Sequence, residues 1–134
     1  MAEAASADEL RDAFEMHLEE TREHVRRLED VADMLGTSVG SETCEAMEGL
    51  VQESEELLED NDSGDALDAA LIAAAQRIEH YEIAAYGSAA TYAGQLGHDK
   101  AESVLRKTLD EEKAADEKLT KIAVSRVNQQ AQKR

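Results

Sequence analysis

Proline is missing altogether from this chain of 134 residues, and glycine occurs only seven times. Without the ring that breaks helices, and with long runs rich in Ala, Glu and Leu, the chain reads as all-helical. A lone cysteine, Cys44, excludes an internal disulfide, and no second thiol stands near to complete a redox cycle, so Cys44 is expected as a small buried or half-buried residue on a short helix. No run of about 18 apolar residues occurs, and the acidic start Met1-Ala2-Glu3 lacks the basic end of a signal peptide. We therefore expect no membrane partner and a cytoplasmic location. Bases are scarce, 14 against 31 acids for a net charge of −17, which argues against gripping duplex DNA through clustered phosphate contacts. The basic tail of Lys121, Arg126, Lys133 and Arg134 reads as ordinary complementation of a helix C-terminus. Two explanations of the acidity stay open, a surface that attracts metal ions or a halophilic, salt-adapted source, and the excess of Arg over Lys (8 against 6) leans mildly to the second.

What is present is apolar periodicity. With 42% apolar residues, residues 1–134 make one domain with a single core. Ser6-Ala7-Asp8-Glu9 has the form of a capping box, so the first helix should start near Ala7 and stop at Gly36. Its inward stripe reads Leu10, Phe14, Thr21, Val25, Leu28, Ala32 and Leu35, with His17, Glu20 and His24 along one flank. A loop at residues 37–42 leads to a short second helix, Cys44 to about Leu58, and the acidic turn of residues 59–65 places Asp65 as N-cap of the third. That turn lacks the order of a calcium loop. The third helix stops at Gly97, and Asp99-Lys100-Ala101-Glu102 caps the fourth, which a link this short makes antiparallel to the third.

Between Ala66 and Leu96 the third helix is apolar on almost every side, which predicts burial. Leu67, Ala70, Ala74, Ile78, Tyr81, Ala85, Ser88 and Tyr92 share one stripe, and Ile72, Ala75, Glu79, Ile83, Tyr86 and Ala90 share another. Glu82 falls between them. A carboxylate in such a run must be protonated, paired with a cation or bound to a metal. Equal distance from the turn pairs residue 82 with residue 112, and 79 with about 115. Glu112 sits at the centre of the fourth helix's stripe (Ala101, Leu105, Thr108, Leu109, Ala115, Leu119, Ala123), and Asp116 is one turn on. Carboxylates and imidazoles converging inside a helical bundle are the ligand set of di-iron and di-manganese proteins. The candidate ligands are Glu20, Glu79, Glu82 and Glu112, joined by His17, His24 and Asp116; Tyr86 and His80 are candidates for supporting positions around them.

The segments His17-Leu18-Glu19-Glu20-Thr21, Ala46-Met47-Glu48-Gly49-Leu50, Ala69-Ala70-Leu71-Ile72-Ala73-Ala74-Ala75-Gln76, Glu79-His80-Tyr81-Glu82-Ile83-Ala84 and Thr108-Leu109-Asp110-Glu111-Glu112-Lys113 resemble the YciE/YciF-like bacterial and archaeal stress proteins of the ferritin-like superfamily. The resemblance runs in register along essentially the whole chain. It implies a four-helix bundle with a long crossover, a dimer, a rubrerythrin-like centre of two iron or manganese ions, and a role in stress response. Carried over by position, its ligand acids fall on Glu20, Glu79, Glu82 and Glu112. Two departures stand out. Family members begin with a further helix that contributes a ligand carboxylate, and Ala115 or Asp116 stands where rubrerythrins carry a histidine. The expected architecture is thus three long helices and one short crossover helix, completed by self-association over the face Ile72, Ala75, Ile83 and Ala90. The rival expectation is a metal-free oligomeric stress protein whose inward acids are protonated or paired with Arg77.

Overall fold

In the computed structural model, residues 1–60 and 63–133 are described, and among them regular structure is entirely helical. After a short 3-10 turn, Ala2–Ala4, three long helices α1 (Asp8–Met34), α3 (Asp65–Gln95) and α4 (Asp99–Ile122) form the body, and the shorter α2 (Glu45–Asp60) leans on α3. A π-helical turn, Ala123–Val127, carries α4 into the terminal α5 (Asn128–Ala131). The contacts fix the directions. Residues 7, 17 and 31 of α1 meet the levels of residues 68, 79 and 90 of α3, so these two helices run parallel and α2 belongs to the crossover between them. Gln76 with Thr120 and Gly94 with Glu102 make α3 and α4 antiparallel.

The ends of the helices show where local rules gave way. Ser6 does not cap α1; its backbone N–H and that of Ala7 both donate, at 2.8 Å each, to the carboxylate of Asp68, which is fully buried on α3. A carboxyl acceptor from another helix thus satisfies donors that a serine hydroxyl would otherwise serve. Asp65 opens α3 as its first residue, the cap being Gly64 at φ 132°, a backbone angle natural to glycine. Asp99 likewise lies inside α4 rather than capping it; Glu102 instead holds Arg106 at 2.7 Å and lies against Gly94. Asn61 and Asp62 of the expected acidic turn fall outside the described residues. Gly97 at φ 78° turns the chain so that His98 N–H reaches the Ala93 carbonyl at 2.9 Å, closing α3 as expected.

Apolar packing falls into two clusters. One joins Leu10, Phe14, Leu71, Ile72, Ala75, Leu119, Ile122 and Val127; the other joins Val31, Ala90, Ala93, Ala101 and Leu105. The layer between them is polar. On α1 the buried residues are Leu10, Ala13, Phe14, His24, Arg27, Val31 and Ala32. The expected inward stripe thus holds at Leu10, Phe14 and Ala32, with Leu28 half-buried against the second cluster, and is corrected at Val25 and Leu35, which are exposed because the helix turns its histidine flank to the core. The face of Ile72, Ala75 and Ala90 is covered by the chain's own helices, with Ile83 half-buried, so it is not free for a neighbouring copy. The other α3 stripe is buried only at its start. Leu67 and Ala74 are buried and Ala70 and Ile78 half-buried, whereas Tyr81 and Tyr92 are exposed. Cys44 is exposed just ahead of α2, against expectation, with its Sγ 3.1 Å from the Tyr81 hydroxyl. Among the described residues no helix is long and apolar enough to cross a membrane.

Candidate metal centre

Three helices supply the polar layer by simple spacing. On α1, His17, Glu20, His24 and Arg27 recur at i, i+3, i+7 and i+10 and so share a face; on α3, Glu79, Glu82 and Tyr86 do the same at i, i+3 and i+7. Glu111 and Glu112 enter from α4. His17 Nε2 stands 2.9 Å from Glu79 Oε1 and 3.7 Å from Glu112 Oε2, and its Nδ1 is 3.5 Å from Glu20 Oε2. His24 Nδ1 is 3.0 Å from Glu112 Oε1. Donor atoms of His17, Glu79 and Glu112 all lie within 4.8 Å of one another, the span of a single cation's ligand shell.

Burial makes this cluster unusual. Glu112 is 0% exposed, and His24 and Glu79 are 2% exposed each. Yet His17 Nδ1, His24 Nδ1, Glu79 Oε2 and both oxygens of Glu112 are buried without a hydrogen-bond partner. The short contact between His24 and Glu112 is close in distance but not directed as a hydrogen bond. The ring's other nitrogen settles the tautomer. Glu111 is held below the usual carboxylate range, first by its hydrogen bond from Arg27 and then by His24, so as an anion it can only accept, and His24 Nε2–H donates to it at 2.9 Å. That leaves a lone pair on Nδ1 aimed at a carboxylate oxygen. A carboxylate holding the far nitrogen of an imidazole whose near nitrogen faces a cluster of acids is the arrangement that orients a metal-binding histidine.

Proton affinities follow the crowding. Burial pushes Glu112 up to about 9, helped by the nearness of the Glu79 carboxyl and by the charges of Glu82, Glu79 and Glu20. Glu82 rises to about 7, mainly by burial and then by the charge of Glu79, with His17 pulling the other way. For His17, burial alone would lower the value, but Glu79 and Glu20 outweigh it and the net shift is upward. Tyr86 stays a neutral phenol, pushed to about 12 by burial and by Glu82 and Glu112, and it meets the His24 ring edge-on with centroids 6.3 Å apart. Beside these groups opens a mainly apolar cavity of about 520 Å³, into which His17, Glu20, Glu79 and Glu82 face between Met16, Met47 and Ile78.

Of the residues singled out from the sequence, Glu20, Glu79, Glu82, Glu112, His17 and His24 gather in this layer, with Tyr86 against it. Asp116 does not. Its Oδ1 takes Gln76 at 3.0 Å and His80 at 3.3 Å on another side of the α3–α4 pair, because a step of four residues from Glu112 swings it 40° around the helix. His80, bound up with Asp116, is therefore a surface group and supports nothing in the layer. Glu79 meets Glu112, where equal counting from the turn had matched it with residue 115; the neighbouring contacts Gln76–Thr120 and His80–Asp116 lie two residues beyond the count in the other direction. Arg77 pairs outward with Glu53 at 3.7 Å and neutralises none of the inward acids. Reasoning from sequence missed Arg27, which grips Glu111 through both guanidinium nitrogens and reaches Thr108 Oγ1 at 3.2 Å; its spacing from His17 and His24 was the available sign.

An all-helical body with a parallel pair joined by a crossover, and with carboxylates and imidazoles turned into its middle layer, defines the ferritin-like class of helical bundle. Comparison places the chain within that class. A family model described as a domain of unknown function, DUF892, matches residues 1–132, and the chain belongs to this family. It is 47% identical over 133 residues to Protein YciF of Escherichia coli (strain K12), a match covering 98% of this chain and 80% of that protein. The crystal structure of the E. coli stress protein YciF superposes with a TM-score of 0.90 at 48% identity, covering 95% of this chain and 80% of that one. YcfI from Rhodopseudomonas palustris superposes with a TM-score of 0.85 at 40% identity, covering 89% and 76%.

Proposed function

We propose that this YciF-like protein binds divalent iron or manganese in its middle layer and serves a stress response through that centre. The observation that carries the reading is the set of five buried nitrogen and oxygen atoms on His17, His24, Glu79 and Glu112 that lack hydrogen-bond partners. Left so, each orphaned group costs about 1–3 kcal/mol and a charged one more, whereas bound cations would relieve the carboxylate oxygens and the imidazole nitrogens turned toward them. The donor set fits: carboxylate oxygens and imidazole nitrogens suit Fe(II) and Mn(II), and no thiolate is within reach. Glu79, Glu112 and His17 would hold one ion, with Glu20 and Glu82 at the cavity side. Glu112, whose two oxygens face His17 and His24 in turn, would also serve a second ion together with His24. Bound iron or manganese would supply one-electron chemistry toward oxygen or peroxide. The chain's own residues hold the proton inventory: Glu82 near neutrality at the cavity edge, Tyr86 as a phenol beside His24, and Glu111 anchoring His24 through Arg27.

A second reading has its own observation. The raised values of Glu112 and Glu82 let these acids sit protonated in a metal-free scaffold, the site being degenerate. Metal analysis separates the two. Protein purified without chelator and titrated with Fe(II) under nitrogen, or with Mn(II), should bind one to two ions per chain with loss of binding in Glu79→Ala and Glu112→Ala. Wild-type protein that takes up no more metal than these variants would leave the protonated scaffold as the function-bearing state.

A further inference from the structure

All four of the helices α1 to α4 border the cavity beside the polar layer, and its walls are apolar on one side and anionic on another. Phe14, Met16, Met47, Val51, Ile78 and Leu119 supply the apolar surface. Three of the chain's four methionines, Met1, Met16 and Met47, are in the lining, and flexible, polarizable thioether chains mould readily to an apolar occupant. The anions gather together. His17 stands 3.5 Å from Glu20 and 2.9 Å from Glu79, and Glu82 follows Glu79 by one turn. Glu79 is 2% exposed, and its Oε2 has no hydrogen-bond partner. Among the described residues, Lys118 is the only lysine or arginine in the lining, about 9 Å along α4 from the level of Glu112.

We propose that this cavity binds an amphiphilic amine, with a single ammonium head among Glu20, Glu79 and Glu82 and an aliphatic tail along the methionine-lined walls. Size, polarity and charge together select that occupant. A volume of about 520 Å³ suits a drug-sized molecule, and clefts between the helices of a bundle are common places for one. Water fits poorly, since walls this apolar offer it few hydrogen bonds. A metal ion satisfies acids but leaves the apolar walls uncovered. A fatty acid would cover the walls while setting its carboxylate against three others. A neutral alcohol brings one donor to a group of acceptors, whereas an ammonium brings three donors and the opposite charge. Lys118 repels that head from the far end, so the ligand has one favoured direction. The net charge of −17 draws cations toward the mouth as well. The inference stands apart from the metal reading, because an ion held by His17, Glu79 and Glu112 would leave Glu20 and Glu82 to face the head group.

The test uses the intact chain in chelator, so that amine binding and metal binding succeed or fail separately. Calorimetric titration with decylamine, below the concentration at which it forms micelles, should give one molecule per chain. Decanol should bind about tenfold or more weakly, the worth of a hydrogen bond to a charged group, and decanoate should not bind. Glu82→Gln should weaken decylamine by a similar factor and leave decanol as it was. The chain has no tryptophan, so Val51→Trp, at the exposed rim, places one indole at the mouth of the cavity. Its emission should shift to the blue with decylamine, whereas that of Val124→Trp, exposed elsewhere, should not. Several amines per chain, unmoved by Glu82→Gln, would mark adsorption to the acidic surface and overturn the proposal. Decanol binding as tightly as decylamine, or neither heat nor spectral change, would do the same. An indole at residue 51 that is screened before any ligand is added, and indifferent to it, would overturn it too by giving the cavity to another polypeptide.

Discussion

Replacing Glu112 by Gln should make the metal-free protein more stable and the metal-loaded protein less so. Glu112 is fully buried and holds its proton up to about pH 9, against a free value of 4.5. Keeping that carboxyl neutral at about pH 7.5 costs about 1.4 kcal/mol for each pH unit above the free value, about 4 kcal/mol in all. Because Glu79 and Glu82 share the burden, half of this, about 2 kcal/mol, is a reasonable figure for one residue. A glutamine has the same shape and no such cost. For a chain of this size about 2 kcal/mol raises Tm by roughly 8 °C, and at about pH 5.5 the gain should shrink to about a third, since the cost scales with distance from the free value. Divalent metal reverses the order. At a hundredfold excess over its dissociation constant, the ion stabilises the wild type by about 2.7 kcal/mol, whereas the amide forfeits most of that. Thermal melts by circular dichroism, with chelator and with Mn(II), at both pH values, read all four quantities. A variant less stable than wild type in chelator, or a gain equal at the two pH values, would refute the reasoning.

The pH dependence of the metal-free wild type has the same origin. Glu82, Glu112 and His17 all bind protons more tightly folded than unfolded, so their contribution is complete below the free values and is lost as pH rises through about 7 for Glu82 and about 9 for Glu112. Melting temperature in chelator should therefore fall steadily from mildly acid to alkaline pH; a rise across that window would contradict the burial. Arg27→Met should cost about 1–3 kcal/mol in denaturant melts and, by releasing Glu111 and with it His24, weaken metal binding about 10- to 100-fold in titration. Asp68→Ala should cost about 1–3 kcal/mol, since it strands one buried and one part-buried N–H donor at the start of α1, seen as a lower urea midpoint at an unchanged slope. Asp116→Ala and His80→Ala should each move stability by no more than about 0.5 kcal/mol and leave metal stoichiometry as it was; loss of an ion in either would restore Asp116 to the site.

Helix number and order were legible because they rest on local signals. The absence of proline, the glycine at residue 97 and the acidic break before Asp65 mark boundaries without any tertiary information. The site was half legible. His17, Glu20 and His24 on one helix, Glu79 and Glu82 on another, and Glu112 at the middle of a third are out of place in amphipathic patterns, and the fold gathers them. Where reading failed, a long-range contact had overruled a local one. Ser6 has the chemistry of a cap, but Asp68, more than sixty residues away, serves that helix end. Val25 fits a hydrophobic stripe, yet the pull of buried Arg27 and His24 toward Glu111 and Glu112 rotates α1 and leaves it in water. Asp116 was one turn from the right residue, and one turn changes which side of a helix a group serves.

The polar layer also has a mechanical meaning. It separates two apolar clusters that share no side chain, so between the halves of three continuous helices lies a clasp made from residues 17, 79 and 112 of three distant stretches of chain. Locking or emptying that clasp would change how tightly the halves move together, and amide exchange along α1 and α4 would report ion occupancy as a difference in cooperativity between the two ends of the same helix.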